Sequence, residues 1–444
     1  MTGNPEMQHA GKTQALGPLA RRALRIGLLS FGGPAAQIAL LHREYVADSK
    51  AVSEERFLNA LNVCMILPGP EAQQLATYCG WIVAGTRGAI ISGLLFILPG
   101  ALAMLALSAL YVTHGETPVV ESLFFGIKAG VLAIVLQALL RLAGRALITA
   151  SAWGIALCAF LALYLFALPF PLVIAAAALA GTLFGRGRRR SAPAAPQETP
   201  PAAAVPGWRQ TAARLAIGLG LWGAPAGLVL LLLPEHILLD IAGFFSLMAV
   251  VSFGGAYALL SYMAQVAVET HGWLSAGQML DGLGLAETTP GPLILVTQFV
   301  GFLGGYGQPA PFPPAIGGVL GAMMTTWVTF APSFLAILVG APYMERLRSI
   351  AWLSDALSGI TAAVVGTILN LSLWFAINVL FTQTIPIDSG WLDTSLPVPA
   401  SLDPLAAILA LLAGCLLFLL KRGVAEVVIL AALAGIAARA AGLG

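Results

Sequence analysis

Apolar stretches long enough to cross a bilayer as helices recur along almost the whole of this 444-residue chain. One such helix needs about 20 predominantly apolar residues. Charged residues make up only 9% of the sequence, against about 25% in soluble domains, and so little charge cannot cover a surface that faces water. The chain is therefore predicted to be an all-α integral membrane protein with many crossings.

Thirteen crossings are predicted, as six before a polar linker, one connecting span and six more. The predicted spans cover residues 24–42, 57–85, 88–111, 119–143, 150–168, 170–185, 214–233, 237–262, 278–305, 314–340, 355–381, 404–420 and 423–441. The predicted domains are a cytoplasmic N-terminal tail (1–23), a first transmembrane repeat (24–185), a basic, Pro- and Ala-rich cytoplasmic linker (186–213), a connecting helix (214–233) and a second repeat (237–441).

Basic residues indicate which ends of the spans face the cytoplasm, because cytoplasmic loops of membrane proteins are enriched in Lys and Arg. Arg21, Arg22 and Arg25 precede the first span and the linker holds a run of arginines, so both are predicted to be cytoplasmic and the C-terminus external. The loop 382–403 holds no Lys or Arg and is predicted to be external. One segment disagrees, because residues 43–56 hold three basic residues but fall outside in this count.

Two short motifs occur twice in the chain at the same separation. The string Ser-Phe-Gly-Gly at 30–33 returns at 252–255, and Pro-Gly-Pro at 68–70 returns at 290–292, both 222 positions later. Because a single span lies between the halves, the second copy is predicted to enter the membrane from the opposite face, which is the inverted-repeat architecture of many secondary transporters. Further matches, 233 positions apart, are Pro99 with Pro332 and Gly126 with Gly359.

The Pro-Gly-Pro motifs are predicted to break their spans near the middle of the membrane. Proline removes a backbone donor and stops the preceding helix, while glycine permits backbone angles that other residues avoid. A new half-helix would begin at Glu71 in the first copy and at Leu293 in the second, with free N–H groups and a positive dipole end facing the protein centre. Two such ends would suit one compact anion; the alternative is a packing kink that holds no ligand.

Few polar residues lie near these breaks, and each has a structural alternative. Lys128 lies about ten residues into its span and is a functional-site candidate at that depth, or it pairs with Glu71 or Glu287. Glu71 either stabilises the helix dipole or carries a proton, and Thr288 and Thr289 either face the ligand or cap helices. The predicted substrate-binding residues are Gly32, Gly33, Pro68, Gly69, Pro70, Glu71, Gln73, Gln74, Lys128, Gly254, Gly255, Glu287, Thr288, Thr289, Pro290, Gly291 and Pro292.

Several other classes of protein lack support in the sequence. No G-x-x-x-x-G-K-[ST], H-E-x-x-H or nucleophile motif is present, so neither an ATP-driven pump nor an intramembrane enzyme is indicated. A net charge of +2 gives no strongly basic face for nucleic acid. The four cysteines stand in apolar stretches without metal-ligand spacing, so no metal or cofactor is expected. A channel stays open as an alternative to a carrier.

Longer strings around the repeated motifs resemble the chromate ion transporter family, in its long two-domain form. They are SFGGPAAQIALLHREYV (30–46), SEERFLNALNVCMILPGPEAQQLATYCGW (53–81), LPGALAMLALSALYV (98–112), GIKAGVLAIVLQALLR (126–141), SFGGAYALLSYM (252–263) and GLAETTPGPLILVTQFVGF (284–302). The resemblance implies a secondary transporter in the bacterial inner membrane that exports chromate, driven by the membrane potential or the proton motive force, and confers chromate resistance. Sulfate is the alternative substrate, and lipids and a second copy of the chain are the other expected partners.

Overall fold

The computed structural model describes residues 16–65, 67–115, 117–189, 207–252, 256–340, 343, 351–388 and 393–442. Most of the predicted linker lies outside these residues, as do Gly254 and Gly255 of the second Ser-Phe-Gly-Gly motif. The helices are α1 (Leu16–Leu29), α2 (Gly33–His42), α3 (Glu54–Cys64), α4 (Glu71–His114), α5 (Pro118–Ala146), α6 (Ala150–Tyr164), α7 (Phe170–Arg189), α8 (Trp208–Leu232), α9 (Ile237–Val251), α10 (Ala256–Ala264), α11 (Ala276–Thr288), α12 (Val296–Gly307), α13 (Pro314–Gly340), α14 (Ala351–Leu380), α15 (Pro404–Gly414) and α16 (Val424–Ala440). π-Helical segments extend α2, α10 and α15 over Arg43–Asp48, Gln265–Thr270 and Cys415–Leu419.

Helices dominate the described chain, and several of them have the length and apolar character of membrane spans. By length and composition, five could cross a bilayer, and they are Glu71–His114, Pro118–Ala146, Trp208–Leu232, Pro314–Gly340 and Trp352–Leu380. Shorter apolar helices of 10–17 residues accompany them. A small antiparallel pair of strands, β1 (Thr384–Asp388) and β2 (Asp393–Pro397), lies in the loop predicted to be external. These features agree with an all-α, multi-pass membrane protein.

The predicted first span, 24–42, is wrong as a single crossing, because α1 and α2 form a hairpin. The chain turns at Gly32, which adopts a positive φ angle of 84°. Beyond the turn the chain runs back alongside α1, so that Arg25 Nε lies 3.6 Å from Glu44 Oε1. A continuous helix would separate two residues 19 positions apart by about 28 Å.

The predicted second span, 57–85, is also a hairpin, whose two arms meet at the first Pro-Gly-Pro motif. Its first arm, α3, begins beside the end of the first hairpin, where His42 Nε2 lies 2.7 Å from Glu54 Oε2. Its second arm is the first part of α4, which breaks after residue 83 and continues antiparallel to itself. A Cβ at Gly80 would collide with the carbonyl of Gly88 across this break. The predicted break at Pro-Gly-Pro is therefore present, but the chain folds back there.

The second half repeats both hairpins, so the predicted spans 237–262 and 278–305 are not single crossings either. Trp273, which joins the two hairpins, packs 5.8 Å from the Phe244 ring of α9 and against Gly304 near the end of α12. Two half-helices carry the same apolar length as one full span, so hydropathy alone cannot distinguish them. We number the hairpins 1 (16–48), 2 (54–83), 3 (237–270) and 4 (276–307).

The two halves interlock through their remaining helices. Helix α5 of the first half packs along α16 of the second, and α14 of the second packs along α7 of the first. Glycines bring the backbones of both helix pairs into contact, Gly126 with Gly435 and Gly181 with Gly359. Small residues permit such close approach of membrane helices. Because Gly126 and Gly359 correspond in the repeat, these two helix–helix contacts occupy equivalent positions in the two halves.

Candidate functional site

The two Pro-Gly-Pro turns reach across the boundary between the halves. The N–H of Gly69 donates to the carbonyl of Ser252 at 2.9 Å, and the N–H of Gly291 donates to the carbonyl of Ser30 at 2.8 Å. Each Pro-Gly-Pro turn is thereby joined to the serine of the Ser-Phe-Gly-Gly motif in the other half. Gly69 and Gly291 have φ angles of 125° and 101°, which only glycine adopts without strain.

Each Pro-Gly-Pro turn also packs against a proline-containing helix of the other half. A Cβ added at Gly69 would collide with the hydroxyl of Ser333 in α13, and one added at Gly100 in α4 would collide with the carbonyl of Pro290. Gly100 and Ser333 occupy corresponding positions of the repeat. The two turns therefore lie in matching, closely packed positions that leave no room for larger side chains.

A narrow cavity lies between the turns, and its walls include the first residues of both half-helices. Residues 70–72 line one side, and residues 292–294 line another. The first N–H groups of a helix have no intrahelical acceptor, and the dipole adds positive charge there. Water centres can occupy about 30 Å³ of the cavity, so it is closed to larger ions in this structure. The structure thus brings the two predicted anion-binding ends to one space.

Further polar side chains complete the lining, and none of them is among the predicted substrate-binding residues. Gln37 of α2 is buried, and its Nε2 donates to the carbonyl of Gly291 at 2.7 Å. The hydroxyl of Thr329 in α13 is buried and has no hydrogen-bond partner among the described residues. Ser252 and Thr297 line the same space. A lone amide in the apolar sequence of α2 was the available signal for Gln37, because buried polar groups in membrane helices need partners.

Most of the polar residues predicted beside the turns stabilise the turns themselves. Gln74 Nε2 donates to the carbonyl of the first proline in its own turn at 2.6 Å. Gln73 Nε2 donates to the hydroxyl of Thr77 at 3.0 Å. The hydroxyls of Thr288 and Thr289 donate back to carbonyls of α11, whose end they form. None of these four side chains is among the residues that line the cavity.

The two carboxyl groups near the turns occupy different surroundings. Glu71 lines the cavity, where an ionised carboxylate would compete with a bound anion for the same N–H donors. Glu287 is buried, is not among the lining residues, and accepts a hydrogen bond from the hydroxyl of Tyr257 at 2.7 Å. Within the described residues, no group of three or more His, Cys, Asp or Glu side chains could hold a metal ion.

The structure places Lys128 in a different cavity, and its ion-pair partner is neither Glu71 nor Glu287. Its Nζ lies 3.2 Å from Asp281 Oδ1, and the hydroxyl of Tyr111 donates to Asp281 Oδ2 at 2.8 Å. Asp281 is the fourth residue of the predicted span 278–305, which would place it near the membrane surface. Hairpin 4 instead carries it, 5% exposed, to the side of α5.

This second cavity, the lysine vestibule, is much larger than the first, at about 820 Å³. A second cation in its wall, Arg439, forms an ion pair with Glu121 at 3.0 Å. Each of these two cations therefore has a carboxylate partner at short distance. The charged residues that line the vestibule are Glu121, Lys128, Asp281, Asp403 and Arg439.

The chain is similar to a family of transporters in both halves. Residues 18–182 and 239–437 match the chromate transporter family. The chain is 32% identical to a chromate transport protein of Pseudomonas aeruginosa over 358 residues, which cover 79% of this chain and 78% of that protein. It is 27% identical to a probable chromate transport protein of Synechococcus elongatus, over 93% of this chain and 98% of that protein. A chromate transport protein of Cupriavidus metallidurans is 28% identical over 81% and 82%. No solved structure matches the chain.

Proposed function

This chain belongs to the chromate transporter family, and we propose that it exports chromate from the cytoplasm by alternating access. One observation carries the proposal: two half-helix N-termini, on turns joined reciprocally to opposite halves, line one central cavity. Backbone N–H groups at a helix N-terminus bind anions such as phosphate and sulfate. Chromate is likewise a tetrahedral dianion, and the relatives in three bacteria carry chromate transport in their names.

Alternating access is supported by the small cavity and the repeated construction. Because the cavity volume is only about 30 Å³, we expect chromate to enter only when one of the turns moves from its packed position. Inverted repeats supply two equivalent movements, one that opens the cavity toward hairpins 1 and 2 and one that opens it toward hairpins 3 and 4. The predicted substrate residues on the turns would then meet the anion from both halves.

We infer nine crossings, four before the linker, one at α8 and four after hairpin 4. Hairpins 1 and 2 would enter from the cytoplasm, and hairpins 3 and 4 from the outside, so the repeats stay inverted and the C-terminus external. This arrangement is supported by residues 43–56, which lie on the face where α1 begins. Their basic residues then become cytoplasmic, and the single disagreement with the charge rule disappears. The crossings are the second part of α4, α5, α6, α7, α8, α13, α14, α15 and α16.

The membrane potential favours export of a dianion. Each elementary charge that crosses the membrane contributes about 2.3 kcal/mol per 100 mV of potential, so the two charges of a dianion contribute about 4.6 kcal/mol per 100 mV. With the cytoplasm negative, outward movement therefore needs no ATP. Glu71 in the cavity wall would add a proton dependence if its carboxyl must be neutral before the dianion binds.

The test is chromate flux in proteoliposomes, with the membrane potential and the pH gradient set separately. We expect saturable chromate flux that follows the potential, competition by sulfate, and stimulation by chromate on the opposite side, which a channel would not show. In cells, expression should lower chromate accumulation and raise resistance. Correctly inserted protein without chromate flux would contradict the proposal, and sulfate flux in its place would assign the alternative substrate.

A further inference from the structure

A basic pocket lies at the opening of hairpin 1, separate from the central cavity. The start of α1 and the π-helical segment after α2 form its walls, and its volume is about 380 Å³. We call it the arginine pocket. Its charged lining residues are Arg21, Arg22, Arg25, Glu44 and Asp48, so guanidinium groups outnumber carboxylates.

Arg22 is held in position in this pocket without using all of its donors. Its guanidinium group lies over the ring of Tyr45, 5.5 Å from the ring centre, in a cation–π contact. Its Nη1 is buried and has no hydrogen-bond partner among the described residues. Buried donors are nearly always paired in folded proteins. Arg22 is therefore a positioned donor that still needs an acceptor.

Glu44 supplies negative charge to the pocket without satisfying this donor. Its side chain is 7% exposed, and its Oε1 lies 3.6 Å from Arg25 Nε and 3.9 Å from Arg43 Nη2. Both distances exceed that of a hydrogen bond. A tetrahedral dianion could accept hydrogen bonds that this carboxylate does not reach, and it would compete with Glu44 for the arginines.

The fold itself does not require these arginines. The arms of hairpin 3 pack through aromatic contacts instead, including Phe244 of α9 with Tyr262 of α10, whose ring centres are 5.4 Å apart. The charge rule explains basic residues near the cytoplasmic surface, but not a guanidinium nitrogen that is buried without an acceptor. The residues of hairpin 3 that correspond to Arg21, Arg22 and Arg25 are Gly243, Phe244 and Leu247.

A line of buried polar side chains leads from the arginine pocket toward the first Pro-Gly-Pro turn. The hydroxyl of Tyr45, beneath Arg22, lies 3.1 Å from Ser92 Oγ. Ser92 lies on the second part of α4, which faces the arm of hairpin 2 that carries Thr77. Thr77 accepts a hydrogen bond from Gln73, which is next to the turn.

We propose that the arginine pocket is a loading site that binds a tetrahedral dianion, chromate or sulfate, from the cytoplasm before it reaches the central cavity. This inference rests on the proposed function. A lipid phosphate has the same chemistry, but the buried nitrogen of Arg22 and the polar line behind Tyr45 lead inward from the pocket. The pocket is therefore assigned to the dissolved anion.

Two variants with opposite expected effects test the loading site. Arg22→Gln should raise KM for chromate about tenfold with little change in kcat, the effect of losing one charge-assisted hydrogen bond. Glu44→Gln should lower KM, because it removes the competing carboxylate. Arg145→Gln, an exposed arginine on the same predicted face, is the matched control and should leave KM unchanged. Initial rates of sulfate and chromate flux are measured over a range of anion concentrations.

A binding measurement separates this inference from the proposed function. Calorimetry with sulfate, on purified protein in nanodiscs of zwitterionic lipid, should show weaker binding for Arg22→Gln and tighter binding for Glu44→Gln, whether or not transport occurs. Equal sulfate affinity and equal KM in Arg22→Gln and the wild type would overturn the loading site. Loss of sulfate binding when anionic lipid is added would also overturn it, since a lipid phosphate would then occupy the pocket. Absence of chromate flux in the wild type would instead contradict the proposed function.

Discussion

The arginine pocket and the lysine vestibule lie near opposite ends of the same membrane helix, yet their positively charged side chains have different partners. Ser92, which contacts Tyr45 beneath Arg22, and Tyr111, which contacts Asp281, are 19 residues apart in the second part of α4, or about 28 Å. In the vestibule, Lys128 has a carboxylate at 3.2 Å. In the pocket, Arg22 has an aromatic ring and an unpaired nitrogen.

This difference indicates how a repeated scaffold can bind an anion differently at its two ends. The two Pro-Gly-Pro turns make the same reciprocal hydrogen bond to the opposite half, so these contacts alone do not distinguish the two ends. The pocket holds three guanidinium groups against two carboxylates, and under the proposed orientation it would meet an anion that arrives from the cytoplasm. The vestibule holds three carboxylates against two cations, which would weaken anion binding there and promote release. Under the proposed orientation, side-chain charge at the two ends would give the anion a higher affinity on the cytoplasmic side, while the membrane potential sets the direction of net flux.

The pocket and the vestibule are predicted to face opposite sides of the membrane. Cysteine labelling tests this prediction with an all-or-none outcome. In a background without the four native cysteines, Glu55→Cys should react with an impermeant thiol reagent only from the cytoplasm, and Thr270→Cys only from outside. Thirteen single crossings would reverse both results. Cysteines at positions 195 and 390 serve as reference sites, which both topologies place in the cytoplasm and outside respectively.

The sequence contained part of this topology, and residues 43–56 were the signal. The repeat, the breaks at Pro-Gly-Pro and the membrane class were all readable, because glycine, proline and apolar length have direct physical meaning. The fold-back at these breaks could not be predicted from the sequence, because a hairpin of two half-helices and a single span have the same hydropathy. The one loop that violated the charge rule lies between the two hairpins that the sequence had predicted as single spans.

The side-chain partners were less predictable than the backbone. Asp281 lies near the start of the predicted span 278–305, and its pairing with Lys128 depends on hairpin 4, which no local pattern indicates. Gln37 contacts Gly291 across 254 positions of sequence, and only tertiary packing determines such a contact. Candidate residues on the turns were found because the repeat marked them twice.

A change that strains the second Pro-Gly-Pro turn should lower chromate flux however the pocket and the vestibule bind the anion. Gly291→Val forces a β-branched residue into a φ angle of 101° and against the backbone of Gly100. We expect chromate flux to fall on the order of 100-fold, about 2.8 kcal/mol, because strain and overpacking both oppose the native turn. Flux in proteoliposomes, normalised to inserted protein, is the measurement.

A matched control separates this effect from a general loss of folding. Gly144→Val, in α5, adds the same side chain at a helical position with no atoms within 4 Å of the new Cβ. It should transport within a few-fold of the wild type, and both variants should elute from size exclusion as the wild type does. Normal flux in Gly291→Val would show that the turn does not border the path, and the pocket and the vestibule would then need separate explanations.

The smallest expected effect concerns release, and it tests the vestibule directly. Asp281→Asn keeps the shape of the side chain but frees Lys128 from its carboxylate, so the vestibule should gain affinity for external dianions. We expect external sulfate to inhibit chromate export about threefold to tenfold more strongly than in the wild type, the effect of one added charge contact in a solvent-exposed cavity. Asp281→Asn combined with Lys128→Gln should remove that added inhibition, which assigns it to the lysine. Tyr111→Phe, which loses one hydrogen bond to Asp281 and leaves both charges in place, is the control and should change inhibition little. If Asp281→Asn left the inhibition by external sulfate unchanged, the paired charges of the vestibule would be structural, and any difference in anion affinity between the two sides would rest on the arginine pocket alone.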